Sequence, residues 1–212
     1  AKALKKREQK VAVSECTSGG LLAASLLSLP GASAYFTGGT VAYSATAREA
    51  LIPGTHDALI DLESARGSDN YHNSERYWES RVVWAVNAAR DVQLMCSADW
   101  GIAEVGAAGP TFHEATGTQS GFVVVAVVGP PLYDDGAIPD AGADRVWVRV
   151  IDTGHAHREE NMWQFAAAAA GLATQCVIGM DYLNADNSPA SQTNLITKHW
   201  SDALDAALKI VR

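Results

Sequence analysis

Hydrophobic and polar positions alternate along this chain in blocks that predict strands and helices in turn. Val11–Val13 is a short apolar run that reads as a buried strand, and it passes into the polar stretch Ser14 to Ser18. Gly19 to Leu29 carries a helical apolar pattern that stops at Pro30-Gly31. Thr40 to Tyr43 reads as a further short strand. Trp78, Val82, Ala85, Val86 and Ala89 recur at three- and four-residue spacing, one apolar face of a helix. Phe122 to Val128 is a continuous β-branched run, predicted to be a central strand covered on both faces. Val146, Val148 and Val150 alternate with Trp147 and Arg149, as a more exposed strand would. Residues 159–173 predict an Ala-rich helix and 200–211 an amphipathic one. The turn-rich stretch 129–145 predicts a surface hairpin loop, and 181–200 a polar extension. The alternation indicates an α/β fold, one domain over 1–212.

Composition narrows the function classes. The 212 residues suffice for a full hydrophobic core, and 48% apolar with 19% charged residues is ordinary for a globular protein. A net charge of −8 argues against a nucleic-acid or anionic-membrane partner. The basic cluster Lys2 to Lys10 reads as a solvated helix start. No apolar run approaches the ~20 residues of a membrane span. Cys16, Cys96 and Cys176 are widely spaced and odd in number, which fits neither a disulfide scaffold nor a zinc site and predicts reduced thiols in a cytoplasmic setting.

The candidate chemistry gathers where the first strand meets the first helix. Glu15, Cys16, Thr17 and Ser18 precede Gly19-Gly20 at a helix start, whose amides can hold an anion or oxyanion and lower a thiol's pKa. The alternative is a tight turn with Ser and Thr as caps and Cys16 as a small half-buried filler. Glu104 interrupts an apolar, glycine-rich strand and turn, so it is expected to point into a cleft or to pair with Arg48 or another base. His113 follows the Gly109-Pro110 turn as a loop histidine, either solvated or functional. His155 and His157 have no third ligand at a recognisable spacing, so no metal is expected.

Three segments resemble the C-terminal domain family of CinA, the nicotinamide-nucleotide amidases. Residues 11–24, VAVSECTSGGLLAA, match the family's A-E-S-C-T-G-G elbow with its VAV and LLAA flanks. PGASAYFTGGTVAYSATAR, from Pro30 to Arg48, matches PGASAYFxGGVVAYSNEAK, and ADWGIAEVGAAGP, from Ala98 to Pro110, matches ADIGVAVTGIAGP. The resemblance implies a single three-layer α/β/α domain with a mixed sheet, a small-molecule substrate, no cofactor and a homo-oligomer. It implies catalytic roles for Cys16, in the place of the nucleophilic Ser, for the retained Tyr43, and for Arg48 in the place of a Lys. Glu15, Thr17, Ser18, Gly19, Gly20, Tyr35, Ser44, Glu104, Gly106 and His113 are then expected to line the substrate pocket.

The departures bear on activity. Arg48 stays protonated and is no general base. Val105 replaces the Thr of the third segment, residues 65–74 replace the family's H-G-A-V-S, and its late G-D-R falls on Gly154-His155-Ala156, without an Arg. Two readings follow: a cysteine-based amidohydrolase acting on a carboxamide, or the same fold repurposed for a neutral or cationic small molecule without amide hydrolysis. An inactive relative is a third.

Overall fold

The computed structural model describes residues 1–66, 74–111, 120–130 and 145–178. The elements run α1 (Lys2–Lys6), β1 (Val11–Glu15), α2 (Leu21–Leu27), β2 (Phe36–Val41), α3 (Ala45–Leu51), α4 (Pro53–Arg66), α5 (Ser74–Met95), β3 (Trp100–Ala107), β4 (Phe122–Gly129), β5 (Arg145–Asp152) and α6 (Arg158–Ile178). His113, the stretches 131–144 and 181–200, the helix expected over 200–211 and residues 67–73 lie outside the described residues.

The five strands form one sheet in the order β2-β1-β3-β4-β5. β1 pairs in parallel with β2 and β3, while β3–β4 and β4–β5 are antiparallel, so the sheet is mixed as expected. Alternate side chains fill two cores. On one face Val11, Val13, Ile102, Val123, Val125 and Val127 pack with Leu22, Phe165 and Ala169 beneath α2 and α6. On the other, Ala103, Val105, Val124, Ala126 and Val128 pack with Ile52, Val82, Val83 and Val86 beneath α3 to α5. The result is the three-layer α/β/α arrangement. The Phe122 to Val128 run lies inside the sheet, buried along its whole length, and β5 is the partly exposed edge.

The elements differ from expectation where glycine or exposure hides the pattern. β2 begins at Phe36 rather than Thr40 because Gly38-Gly39 is part of the strand. A Cβ at Gly39 would stand 2.4 Å from the Val13 carbonyl oxygen, so only glycine lets β2 approach β1 there. α2 starts at Leu21, two residues late, because Gly19 and Gly20 take φ of +66° and +102°, outside helical space. α3 buries none of its residues and so carries no apolar stripe to read.

After β1 the chain crosses to β2 on one side and returns to β3 on the other. In open α/β sheets such a reversal makes the carboxyl ends of β1 and β3 the usual ligand position. Glu15 and Cys16 end β1 at this edge, and Glu104 approaches it on β3. An apolar cavity of about 360 Å³, lined in part by Leu4, Val11, Trp100 and Val127, lies at the opposite edge, away from these groups.

Candidate functional site

The elbow is built around two buried carboxylates. Glu15, fully buried, accepts hydrogen bonds from the amides of Gly20 (2.9 Å), Leu22 (3.0 Å) and Ala23 (2.8 Å), and lies 2.5 Å from Ser18 Oγ. It satisfies first-turn amides of α2 that otherwise lack partners. Glu104, also fully buried, accepts from the amides of Cys16 (2.7 Å) and Ser18 (2.8 Å), both through Oε1. Its Oε1 also lies 2.8 Å from Ser18 Oγ, and its Oε2 takes the Thr17 hydroxyl.

This arrangement corrects several expectations. Glu104 neither enters a cleft nor pairs with Arg48; backbone and hydroxyl donors of the elbow satisfy it instead. Glu15, Thr17 and Ser18 are buried structural groups rather than pocket lining. The Cys16, Ser18 and Gly20 amides that could have formed an oxyanion hole are engaged by the two carboxylates. Gly19 is exposed, and its missing side chain makes room for Met162, whose methyl would lie 3.0 Å from a Cβ.

Cys16 packs against the core on the α3–α5 face. Burial pushes its thiol up to about 12; the Glu104 carboxylate acts in the same direction, and Arg81 and Arg48 act against it. The helix start was expected to lower this value, but Glu15 takes the amides that would have done so. Iodoacetamide at neutral pH is therefore expected to label half-buried Cys96 before Cys16 and both before fully buried Cys176, read by peptide mass spectrometry. Labelling of Cys16 first would show that a thiolate forms there after all.

Tyr43 is 62% exposed, just beyond β2, so it is not a core aromatic. Its hydroxyl accepts a hydrogen bond from Arg158 Nη2 at 3.2 Å, and Arg158 Nη1 donates to the Gly109 carbonyl at 3.0 Å. One guanidinium thus joins the segment after β2, the turn after β3 and the first residue of α6. Buried Asn161 holds the same corner. Its Nδ2 donates to the carbonyls of Ala108 (2.8 Å) and His155 (2.9 Å), and its Oδ1 accepts from the Thr153 hydroxyl (2.6 Å). Arg48 lies on α3, with a buried Nε that has no hydrogen-bond partner among the described residues. Arg81, on α5, lies with its guanidinium carbon 4.9 Å from the Tyr77 ring centroid.

Arg158 and Arg81 escaped the sequence reading. The G-D-R match ended at Ala156, whereas the turn at Gly154 to His157 delays the arginine to the start of α6. Arg158 nevertheless places a guanidinium at this corner, which the comparison of motifs alone does not supply. Other expected residues lie elsewhere. Tyr35 is fully buried, donates to the Leu26 carbonyl and sits where β1 begins, its own carbonyl accepting from Val11 N. Ser44 caps α3 by accepting from Ala47 N at 3.1 Å. Gly106 serves the β3–β4 pairing, since a Cβ there would stand 2.1 Å from the Phe122 carbonyl oxygen. Among the described residues no His, Cys, Asp and Glu side chains cluster to hold a metal ion, and no helix is long and apolar enough to cross a membrane.

Known proteins share this architecture and its first segments. The family model for the CinA C-terminal domain matches residues 1–65, which include the elbow, Tyr43 and Arg48. A CinA-like protein of Synechococcus sp. (strain CC9902) is 37% identical over 102 residues, 48% of this chain and 21% of the relative. One from Acaryochloris marina (strain MBIC 11017) is 29% identical over 158 residues, 73% of this chain and 33% of the relative. The chain thus spans between about a fifth and a third of the length of these curated relatives. Among solved structures, the competence/damage inducible protein CihA from Agrobacterium tumefaciens gives a TM-score of 0.62 at 18% identity, covering 84% of this chain and 90% of that one. The competence damage-inducible protein A (ComA) from Klebsiella pneumoniae gives 0.60 at 21% identity, covering 82% and 91%. At these identities the likeness establishes the fold.

Proposed function

We propose that this chain, whose residues 1–65 match the CinA C-terminal domain model, binds a small anionic molecule at the carboxyl edge of β1 and acts on it without a cysteine nucleophile. The observation that carries this reading is the Arg158 guanidinium, held against Tyr43 and Gly109 and free of any ion pair among the described residues. Arg48 and Arg81, which both bear on Cys16, add positive charge on the other face of the same edge. Glu15 and Glu104 are withdrawn into the elbow. Three guanidinium groups therefore border this edge, beside Glu159 and Glu160 of the first turn of α6, and their local field rather than the net −8 governs ligand capture. Arginine's planar fork suits a carboxylate or phosphate, and the exposed Tyr43 hydroxyl can orient it.

The covalent alternative keeps one supporting observation: Cys16 stands at the family's nucleophile position with two arginines favouring its thiolate. Against it stand burial, the neighbouring Glu104 and the engaged elbow amides. A titration with nicotinamide mononucleotide, followed by calorimetry and an ammonia assay, separates the two. We expect binding that weakens at least about tenfold in Arg158→Ala, the loss of a charge-assisted hydrogen bond, and is unchanged in Cys16→Ala. Ammonia release is expected far below ~1 per second. Release at or above that rate, abolished by Cys16→Ala, would restore the cysteine amidohydrolase.

A further inference from the structure

The hydroxyl of Ser18 lies between two carboxyl groups, 2.5 Å from Glu15 Oε2 and 2.8 Å from Glu104 Oε1. A hydroxyl has one proton to donate. If Ser18 gives it to Glu15, the contact with Glu104 brings two lone pairs together unless a carboxyl proton lies between them. If Ser18 gives it to Glu104, the same deficit moves to the Glu15 side. Either way the three side chains are one proton short when both carboxyls are ionised. All three are fully buried, so bulk solvent does not reach them to supply the missing donor.

We propose that the Glu15–Ser18–Glu104 cluster holds one carboxyl proton at neutral pH, and that losing this proton at alkaline pH loosens the elbow. A second buried carboxyl group across the Ser18 hydroxyl disfavours ionisation of Glu104. Burial, which raises the Glu104 value against four hydrogen bonds that lower it, points the same way.

The charged surroundings do not replace that proton. Ionisable groups on the elbow itself are Glu15 and Cys16. α2 (LLAASLL) and β4 (FVVVAVVG) carry no ionisable side chain. Arg48 on α3 and Arg81 and buried Glu79 on α5 belong to helices on the opposite face of the sheet. Arg158 at the start of α6 is turned to Tyr43 and Gly109. No cation among the described residues forms an ion pair with either elbow carboxylate.

A group protonated more readily in the folded than in the unfolded chain gives stability that is full at low pH and is lost as pH rises through its folded value. Infrared spectroscopy of the intact chain should show a carboxylic-acid C=O band at neutral pH that disappears on alkaline titration and is absent in Glu104→Gln. Urea unfolding should show the wild-type unfolding constant rising by up to about tenfold per pH unit from the ordinary carboxylate range up to the pH at which the band is lost, and levelling off above it, with Glu104→Gln much flatter. Should Glu104→Gln fail to fold, Glu15→Gln replaces it, since an amide on either side supplies the missing donor. No carboxylic-acid band at neutral pH, or a band untouched by the substitution, overturns the proposal. Equal pH slopes in wild type and variant do so too. Neither measurement uses a ligand, so the outcome is separate from that of the anion-binding reading.

Discussion

Glu104→Ala is expected to destabilise the fold by about 3–5 kcal/mol, the cost of removing one partner from a buried polar network. The substitution has two opposing effects. It relieves the burial of a carboxyl group beside a second one, which favours the variant. It also strips the acceptor from the amides of Cys16 and Ser18 and from the Thr17 hydroxyl, all around a side chain with no exposure. Each buried donor left unpaired costs about 1–3 kcal/mol, so two or three of them outweigh the relief. The alanine also leaves space that a side chain of glutamate's size had filled. A fall in Tm of roughly 10 °C is expected for a domain of this size. Glu104→Gln should cost far less at neutral pH, because the amide keeps an acceptor for the two backbone amides and adds a donor. If Glu104→Ala melts within about 2 °C of wild type, well under the expected shift, the elbow does not depend on this carboxylate.

Glu104 also shows how far a sequence can be read. That a charged residue interrupts the apolar GIA-VGAAGP stretch is visible without a structure, and it does signal an unusual environment. Its partner is not visible. The parallel register of β1 with β3, Ser14 opposite Ala103, sets Glu15 and Glu104 one step further along, and no local pattern encodes that pairing. The Phe122 to Val128 strand was legible because burial on both faces demands an unbroken β-branched run, and β5 because an exposed edge demands alternation. β2 was legible only in part, since a strand made with Gly38-Gly39 looks like a turn. The elbow is legible as a strand end followed by paired glycines, but the engagement of its Cys16, Ser18, Gly20, Leu22 and Ala23 amides by the chain's own carboxylates is not. Arg158 was passed over because it stands two residues beyond Ala156, where the G-D-R comparison ended.

Glu15→Ala is expected to cost about 2–4 kcal/mol, with an effect more local than that of Glu104→Ala. α2 has seven residues, too short to be stable on its own strength, and its capping residue Gly20 supplies no side-chain acceptor. Glu15 does that work from the preceding strand by taking the Gly20, Leu22 and Ala23 amides. A carboxylate at this end also opposes the positive pole of the helix, about 0.3–1 kcal/mol at exposed sites and more when buried. Removing it leaves three amides to compete for water in a place where Leu22 has no exposure. Amide hydrogen exchange is the informative measurement, because it separates local fraying from global loss of stability. Protection at Leu22 and Ala23 should fall by more than tenfold relative to that of Val124 and Val125 in the central strand. Glu15→Gln, which keeps an acceptor oxygen, should recover most of it. Uniform loss across α2 and β4 would mean instead that Glu15 supports the whole domain through its link to Ser18 and Glu104. The elbow and the sheet would then open as one cooperative unit, and the corner held by Tyr43 and Arg158 would have no independent stability.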